Sequence, residues 1–373
     1  MHPSPRLVKF LETVLYGERA DAAAACARGV LRSLTAAYRA LLWLSLMPYR
    51  VGLRKRQHLA RPVISVGNLT VGGTGKSPTV QYLCRGLADI GCKPAILSYG
   101  YAGSLHGRFG IASDASGIRL TPDEAGDEPV MLAESLPGVP VLVGKDRARS
   151  GRVAIQDLGA DILVLDDGFQ VWNLHRDLDI VLINSTRPFD NGRTLPAGRL
   201  REPLTALKRA NCVIATGRWK PKDAETMVET VRRSTSAPVF FGRFAPSAVV
   251  SLPERSEMPV EFMEGRKVFA LSSIASPRSF EESLVESGAI ILGRERLPDH
   301  HVYTPRDIAR IGRDAMESGA EFIATTDKDA VKLDPAQLAL PALLLRIRLN
   351  LEDENGFWDL VRRTVHEDGR RTC

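Results

Sequence analysis

The chain has 373 residues, of which 44% are hydrophobic and 25% are charged, and its formal net charge is +6. This composition is typical of a soluble globular protein and excludes a fibrous, low-complexity or multi-span membrane protein. The length exceeds what one hydrophobic core usually supports, so it predicts more than one domain.

The first predicted element is a basic amphipathic helix. No Asp or Glu occurs from Ala22 to Ala88, and basic residues cluster from Arg28 to Arg56 around the apolar run ALLWLSLMPY. That run has about half the ~20 residues that a membrane-spanning helix needs. Apolar residues recur at helical spacing, namely Leu31, Leu34, Tyr38, Leu41 and Leu42. The pattern fits a helix in the surface of an anionic membrane, or a helix packed on its own domain.

From residue 61 onward, short aliphatic runs alternate with helix-like stretches. The runs predict strands, in chain order RPVISVGNL, KPAILSYGYAG, GRFGIAS, IRLT, VPVLVG, ADILVLDDG and LDIVLINS, and then NCVIATG, APVFFGRFAP, RKVFALSSIASP, GAIILGRERLPDHH, GAEFIATTDKDAVKL and PALLLRIRLNL. Helices are predicted from about 77 to 90, from 127 to 135 and over ARSGRVAIQDLG. Nearly all-apolar strands alternating with helices predict an α/β fold, with a parallel sheet covered on both faces.

A loop rich in Gly, Pro and Arg, NGRTLPAGRLREPLTALKRA, suggests a domain boundary near residues 200–210. We expect three parts: an N-terminal helical, membrane-associating region over residues 1–60, an α/β core over 61–205, and a second, smaller α/β domain over 206–373.

The stretch LTVGGTGKSP lies between the first strand and first helix of the α/β core. A glycine-rich turn in this context predicts a nucleotide-phosphate loop, whose backbone N–H groups surround the phosphates. Lys76 would reach the β- and γ-phosphate oxygens, and the Ser77 hydroxyl would bind Mg²⁺. Gly72 and Gly73 can supply the backbone freedom that Thr70 lacks, and Pro78 suits a first helical turn. The alternative is a glycine-rich turn with a surface lysine. The expected nucleotide-binding residues are Thr70, Val71, Gly72, Gly73, Thr74, Gly75, Lys76 and Ser77.

Acidic residues lie at the ends of other predicted elements. ADILVLDDGFQ ends in Asp166 and Asp167, the arrangement in which a strand-terminal carboxylate holds a metal, although such pairs also cap loops. AGDEP places Asp127 at an expected helix start, where it could cap the helix or act as a general base. LPDHH places His300 after a strand and beside an acid, where it could tune a carboxylate across a cleft.

Two basic loops suit anionic groups, although either could simply face solvent. GKDR contributes Lys145 and Arg147, and GRLREP contributes Arg199 and Arg201. A nucleic-acid site is not expected, because the aromatic residues of the N-terminal helix lie inside its apolar run and not among its basic residues.

In chain order, the motifs VGNLTVGGTGKSP, SYGYAG, AGDEP, GKDR, LDDGFQ, LPAGRLREP, LPDHH and TTDKDAVKL resemble those of the tetraacyldisaccharide 4′-kinase family, the lipid A 4′-kinases of Gram-negative bacteria. The resemblance runs from about Ile64 to Leu333. It implies a P-loop kinase that transfers the γ-phosphate of ATP, with Mg²⁺, to the 4′-hydroxyl of an acylated glucosamine disaccharide 1-phosphate. It also implies peripheral attachment to the cytoplasmic face of the inner membrane, and no obligate protein partner is expected.

The same resemblance implies roles for individual residues. Asp127 matches the family's proposed base, assisted by His300, and Lys76 matches its phosphate-loop lysine. The expected metal ligands are Ser77, Asp166, Asp167 and Glu202. The expected substrate or phosphate contacts are Gln170, Lys145, Arg147, Arg199 and Arg201.

Three positions depart from the family's pattern. Val171 follows DDGFQ where the family usually has His, Tyr99 stands where it usually has Arg, and SSIASP lacks the glycine of S-G-I-x-x-P. Val171 cannot donate a hydrogen bond, and Tyr99 lacks the charge and fork of an arginine. The alternative function is therefore a catalytically weakened nucleotide- and lipid-binding homologue on the same scaffold. A P-loop GTPase is disfavoured because no N-K-x-D motif occurs.

Overall fold

The aliphatic runs predicted as strands form one mixed sheet with helices on both faces. The computed structural model describes residue 13 and residues 21–219, 221–252 and 254–366. The strands are β1 (Val63–Asn68), β2 (Pro94–Ser98), β3 (Gly110–Asp114), β4 (Gly117–Ile118), β5 (Val141–Val143), β6 (Ile162–Asp166), β7 (Leu178–Asn184), β8 (Cys212–Thr216), β9 (Val239–Ser251), β10 (Glu257–Met258), β11 (Lys267–Ser272), β12 (Ile290–Arg296), β13 (Phe322–Thr325) and β14 (Ala342–Leu351).

Helices connect most of these strands. The α-helices are α1 (Ala22–Arg50), α2 (Lys76–Asp89), α3 (Pro122–Ala125), α4 (Asp127–Ser135), α5 (Arg147–Gln156), α6 (Pro221–Arg232), α7 (Pro277–Glu286), α8 (Pro305–Glu317), α9 (Asp327–Ala330) and α10 (Glu354–His366). Short 3₁₀ turns lie at Leu204–Arg209, Val260–Met263 and Pro335–Gln337.

The strand order is β12-β11-β13-β14-β9-β8-β7-β1-β6-β2-β5-β3-β4, with β10 beside β9. Most neighbours are parallel, which confirms the predicted α/β class. Four pairs are antiparallel. At one edge of the sheet, β3 pairs with both β5 and β4, and in the middle of the sheet β9 pairs with both β14 and β10. The sequence did not indicate these directions, because a buried apolar strand has the same composition in either orientation.

The strand pairing places two predicted motifs together. β1 and β6 are parallel neighbours, with Val66 opposite Asp166. The phosphate loop follows β1 and the acid pair ends β6, so both lie at the carboxyl edge of the sheet, where ligands bind in open α/β folds.

Helix α10 packs on helix α2, although the two helices are far apart in the sequence. Val80 and Leu87 of α2 share the largest hydrophobic cluster with Phe357 and Trp358 of α10. Gly86 of α2 permits this contact, because a Cβ there would lie 2.1 Å from the Trp358 ring. The sheet also continues across the boundary predicted at residues 205 and 206, since β8 pairs with β7. The three-part division of the chain stays a prediction.

The N-terminal helix α1 packs on the protein with one face and exposes apolar side chains on another. On one face, Tyr38 donates a hydrogen bond to the Arg201 carbonyl at 2.7 Å, and the Thr35 hydroxyl accepts one from the Ala197 backbone at 3.0 Å. The other face exposes several large apolar side chains, including Leu34 and Leu41. Neither α1 nor another described helix is long and apolar enough to cross a membrane. The part of the predicted N-terminal region at residues 1–20, apart from residue 13, lies outside the described residues.

Candidate active site

The phosphate loop, residues 69–75, has a backbone shape that requires glycine. Gly72 and Gly75 have φ angles of 109° and 83°, which side chains rarely adopt. A Cβ on Gly75 would also lie 2.1 Å from the ring of Phe244, which comes from β9. Pro78 is the third residue of α2, where the backbone N–H has no intrahelical partner, so the ring costs no hydrogen bond.

Thr74 fastens the loop to two strands. The Asn68 side-chain amide at the end of β1 donates to the Thr74 hydroxyl at 2.8 Å. The Thr216 hydroxyl at the end of β8 donates to the Thr74 carbonyl at 3.2 Å. These bonds fix the turn from which Lys76 begins α2.

Arg199 and Arg201 join the phosphate loop to the acid pair. The Val71 backbone donates to the Arg199 carbonyl at 2.8 Å, and Arg199 Nε donates to the Val71 carbonyl at 3.2 Å. Arg201 Nη1 donates to both oxygens of Asp167, at 2.9 and 2.8 Å, while Lys76 Nζ lies 3.9 Å from Oδ1. Burial alone would raise the pKa of Asp167, but Lys76 and Arg201 lower it below its ordinary value. Asp167 is therefore an ionised carboxylate between two cations.

Asp166 is the deeper member of the acid pair. Its Oδ2 accepts a hydrogen bond from the Ser98 hydroxyl at 3.1 Å, and its Oδ1 finds no hydrogen-bond partner among the described residues. Burial, together with the negative charges of Glu128 and Asp167, raises the pKa of Asp166 to about 7. A buried carboxylate with an unpaired oxygen beside other acids is costly unless a cation lies next to it.

The residues around Asp166 fit Mg²⁺ better than a metal held by protein alone. Within the described ranges, no three His, Cys, Asp or Glu side chains converge on one point. Mg²⁺ usually takes one or two carboxylates and completes its shell with water and phosphate oxygens. Ser77, in the first turn of α2, is the predicted hydroxyl ligand.

Asp127 and His300 form a pair across the molecule. Asp127 is the first residue of α4 and is buried, and His300 lies in the loop after β12. His300 Nδ1 lies 3.0 Å from each oxygen of Asp127. Burial would raise the pKa of Asp127, but the hydrogen bond with His300 and the charges of Lys328 and Lys332 lower it. The carboxylate is therefore ionised at neutral pH and can accept a proton.

Two lysines that the sequence analysis gave no role flank this pair. Lys328 Nζ lies 3.0 Å from His300 Nε2, and Lys332 Nζ lies 3.7 Å from Asp127 Oδ2. Both belong to the segment TTDKDAVKL, in which Lys328 lies on α9 and Lys332 lies in the turn just after it, four residues along the chain. In the sequence, two lysines four residues apart with Asp329 between them were the signal that could have indicated these residues.

Asp329, between the two lysines, anchors their segment. It is fully buried and accepts hydrogen bonds from the Ser273 backbone at 2.9 Å and from the Tyr303 hydroxyl at 2.9 Å. The Ser273 hydroxyl also bonds to Asp329, and the Thr326 hydroxyl donates to it at 2.7 Å. Lys332 Nζ in turn donates to the Ser273 hydroxyl at 2.8 Å. This network holds the segment that carries the two lysines in place.

Glu202 and Gln170, which were predicted to bind the metal and the substrate, are both hydrogen-bonded to other protein groups. Each oxygen of Glu202 accepts a hydrogen bond from Arg209 at 2.9 Å. Gln170 Nε2 donates to the Asn68 carbonyl at 3.1 Å. The metal role of Glu202 and the substrate role of Gln170 stay predictions.

The predicted basic loop GKDR presents one buried and one exposed side chain. Arg147 is buried and donates to the Gly144 carbonyl, while Lys145 is exposed. Burial lowers the pKa of Arg147 to about 10, against the attraction of the acid pair, so it remains charged at neutral pH. Its contact with a phosphate stays a prediction.

The positions that depart from the family's pattern have local explanations. Arg147 lies over the ring of Tyr99, with its guanidinium carbon 5.5 Å from the ring centre, so a guanidinium does lie beside this position. Val171 packs against a hydrophobic cluster, and its carbonyl accepts a hydrogen bond from Arg176. Ala275, in the stretch SSIASP, contacts the phosphate loop, since a Cβ on Gly73 would lie 3.3 Å from its methyl group.

Comparisons with known proteins agree on one family. A sequence model described as "Tetraacyldisaccharide-1-P 4'-kinase" matches residues 27–366. A tetraacyldisaccharide 4′-kinase of Syntrophus aciditrophicus is 46% identical over 309 residues, covering 80% of this chain and 83% of the relative. One of Pelobacter propionicus is 40% identical over 321 residues, covering 86% and 87%. The crystal structure of Aquifex aeolicus LpxK in complex with ATP superposes with a TM-score of 0.73 at 31% identity, covering 91% of this chain and 99% of that one.

Proposed function

The chain belongs to the tetraacyldisaccharide-1-P 4′-kinase family, and from that membership we propose how its site works. The protein is an ATP-dependent kinase of lipid A biosynthesis. It transfers the γ-phosphate of ATP to the 4′-hydroxyl of a tetraacylated glucosamine disaccharide 1-phosphate. No observation favours the catalytically weakened alternative.

The observation that carries the residue assignment is the contact path between the Asp127–His300 pair and the phosphate loop. A Cβ on Gly73 of the loop would lie 3.3 Å from the Ala275 methyl group, and Ser273 of the same segment accepts a hydrogen bond from Lys332. Lys332 in turn lies 3.7 Å from Asp127. An ionised carboxylate near a phosphate loop is suited to accept the proton of an attacking hydroxyl.

Each charged group has a separate task in this proposal. Asp166, whose Oδ1 has no hydrogen-bond partner among the described residues, and the Ser77 hydroxyl would hold Mg²⁺. The metal would supply neutralisation of charge on the phosphate oxygens. Lys76 binds the phosphate oxygens, and Asp167 keeps Lys76 oriented through its charge. Phosphoryl transfer depends mainly on such positioning and charge neutralisation.

Asp127 is the general base. Its carboxylate takes the proton of the 4′-hydroxyl as the oxygen attacks the γ-phosphorus, and His300 holds the carboxylate in place. Burial of Asp127 excludes water from the base, which favours transfer to the sugar over hydrolysis of ATP.

Peripheral attachment of the protein to the cytoplasmic face of the inner membrane, where ATP is available, completes the proposal. The exposed apolar face of α1 and its arginines suit a surface of acyl chains and anionic headgroups. A cavity of about 500 Å³ opens beside α1, lined on the helix by Arg39, Trp43 and Arg50 and on the core by Trp172 and Arg209. Its apolar walls and basic side chains suit the acyl chains and phosphate of one lipid substrate.

The test replaces the Asp127 carboxylate with an amide, which has nearly the same shape but cannot act as a general base. Asp127→Asn should lower kcat by about 10² to 10⁴, the usual contribution of general-base catalysis. Nucleotide affinity should be nearly unchanged, because Asp127 does not line the phosphate loop. Formation of the 1,4′-bisphosphate from the disaccharide 1-phosphate, followed by mass spectrometry, measures turnover, and calorimetry measures ATP binding.

Two further variants make the result specific. Lys76→Ala should lose both turnover and ATP affinity, because its ammonium binds the phosphates. Asp123→Asn, an exposed acid on α3 four residues before the base, should behave as the wild type. Near-normal turnover by Asp127→Asn would show that the base lies elsewhere.

A further inference from the structure

Lys328 has three hydrogen-bond acceptors around its ammonium group. They are Glu128 Oε1 at 3.2 Å, Asp299 Oδ1 at 2.9 Å and His300 Nε2 at 3.0 Å. The side chain is only 13% exposed, so solvent contributes little. An ammonium has three N–H donors and no acceptor, so this set satisfies it completely only if Nε2 of His300 carries no proton.

The opposite side of the ring faces an acceptor. Nδ1 lies 3.0 Å from both oxygens of Asp127, which is ionised and can only accept. Nδ1 must therefore carry the proton if the contact is to be a hydrogen bond. The two contacts together select one form of His300, the neutral imidazole with its proton on Nδ1.

All charged groups that face the imidazole can be named. The hydrogen bond with Asp127 from α4 and the charges of Asp127 and Asp299 raise the pKa of His300 above its ordinary value, while burial and Lys328 from α9 act against this rise. Tyr101 also contacts the imidazole, with its ring edge-on and the ring centres 5.3 Å apart. Lys328 is thus the positively charged contact opposing imidazolium formation among the described neighbours.

We propose that Lys328 is a positioning residue that keeps His300 neutral with its proton on Nδ1. This rests on the proposed roles of Asp127 and His300. In the reaction, the 4′-hydroxyl proton passes to Asp127 as the bond from the 4′-oxygen to the γ-phosphorus forms and the bond from that phosphorus to the bridging oxygen breaks. The electron pair leaves with ADP. Throughout the reaction, Nδ1 of His300 keeps its proton and donates a hydrogen bond to Asp127.

An imidazolium at position 300 would weaken the base. It could pass a proton to Asp127, and the carboxylate would then be unable to accept one from the substrate. Lys328 opposes this because its positive charge lies 3.0 Å from the nitrogen that would be protonated. Removing that charge should let His300 protonate at higher pH.

The kinetic test compares the pH profiles of kcat/KM for the wild type and Lys328→Met in the full-length protein. The acid limb should move to higher pH by about one unit, the size of effect expected from a charge in direct contact. At pH values above the limb, the variant should recover most of the wild-type rate. Lys328→Gln, which is also neutral but can still donate, should shift the limb similarly.

A second background isolates the histidine. His300→Asn keeps a side-chain N–H for Asp127 but cannot titrate, so adding Lys328→Met to it should leave the acid limb unmoved. If the same shift appears without His300, Lys328 acts on another group and the proposal is overturned. An unchanged limb in the single variant, with a wild-type melting temperature, would overturn it too.

A spectroscopic test does not depend on kinase activity. Nitrogen-15 spectra of protein labelled at its seven histidines report which ring nitrogen bears a proton, and His300→Asn identifies the signal of His300. The wild type should show the neutral Nδ1–H form at a pH just above its acid limb, and Lys328→Met should show imidazolium at that same pH. A wild-type ring protonated on Nε2 would refute the inference. Failure of the wild type to phosphorylate the disaccharide would instead refute the proposed function.

Discussion

At the end of β6, Asp166 is buried, and its Oδ1 has no hydrogen-bond partner in the part of the chain that the structure describes. The charge of this carboxylate is therefore stable only when a proton or a cation compensates it. Its pKa in the folded protein, about 7, lies above the ordinary value of 3.8. Between these two values the folded state keeps the proton that the unfolded state has released. The free energy of unfolding therefore falls as the pH rises through this interval, and it is constant above it.

This linkage predicts a pH-dependent effect of Mg²⁺ on the melting temperature. Mg²⁺ with a non-hydrolysable ATP analogue should raise the melting temperature more at pH 8 than at pH 6, because the metal displaces the proton from Asp166. Asp166→Asn should remove most of that difference and should flatten the pH dependence of the protein without ligands. Differential scanning calorimetry at both pH values measures these changes.

Asp223→Asn serves as the control for this prediction. It removes an acid from the exposed first turn of α6, so both the pH dependence and the Mg²⁺ effect should remain. Equal Mg²⁺ stabilisation of Asp166→Asn and the wild type at pH 8 would show that the metal does not use this carboxylate.

Among the secondary-structure elements, α1 was the one for which the sequence left two interpretations open. The structure shows the helix packed on its own protein, and its association with a membrane stays a prediction. Leu31, Tyr38 and Leu42 are half-buried on the side that packs on the protein. Leu34 and Leu41 belong to the same helical pattern but are 51% and 67% exposed. A helix with apolar residues on more than one side can dock on its own protein and still present an apolar surface.

The exposed face of α1 predicts a specific loss of membrane binding. The double variant Leu41→Ser and Leu44→Ser should sediment less with vesicles of anionic lipid, because less apolar area enters the bilayer surface. Each Leu contributes roughly 1.5–3 kcal/mol when fully buried, so at least a tenfold weaker association is expected. Thermal stability should change little, since both side chains are exposed in the protein.

The matched control removes two exposed apolar side chains elsewhere. Val285 on α7 and Met316 on α8 are 62% and 54% exposed, and both can be changed to Ser. If this control loses vesicle binding as strongly as the α1 variant, the binding surface is not confined to α1.

At the scale of the whole molecule, the two ends of the α/β region depend on each other. α10, the last described helix, packs Phe357, Trp358 and Val361 into the cluster that contains α2. Trp358 also donates a hydrogen bond to the Tyr82 hydroxyl of α2 at 2.8 Å. The helix that begins at the phosphate loop is thus covered by a residue 276 positions after Tyr82.

This arrangement predicts that Trp358→Ala destabilises the nucleotide site as well as the fold. The loss should be about 3–5 kcal/mol, the usual cost of removing a buried Trp, and it should lower the melting temperature by several degrees. Trp43→Ala, on the exposed side of α1, should lower it far less, because that ring is 49% exposed. Comparable losses in the two variants, measured by circular dichroism, would contradict the packing described here.

The sequence alone determined the phosphate loop, the acid pair at the end of β6 and the α/β class. These are local features, in which a strand, a turn and a helix follow one another in the chain and each residue type has a direct backbone or ligand requirement. The resemblance of the ordered motifs also led to the family, which the comparisons then established.

Only the tertiary structure decided which distant groups meet. His300 contacts Asp127, which lies 173 positions earlier in the chain, and Lys328 contacts Glu128, which lies 200 positions earlier. The sequence could not place the lysines, because a lysine is usually solvated and their spacing beside an acid does not say which distant side chain they reach. The segments that carry them meet because of strand order and direction, which follow from packing over the entire chain rather than from any one motif.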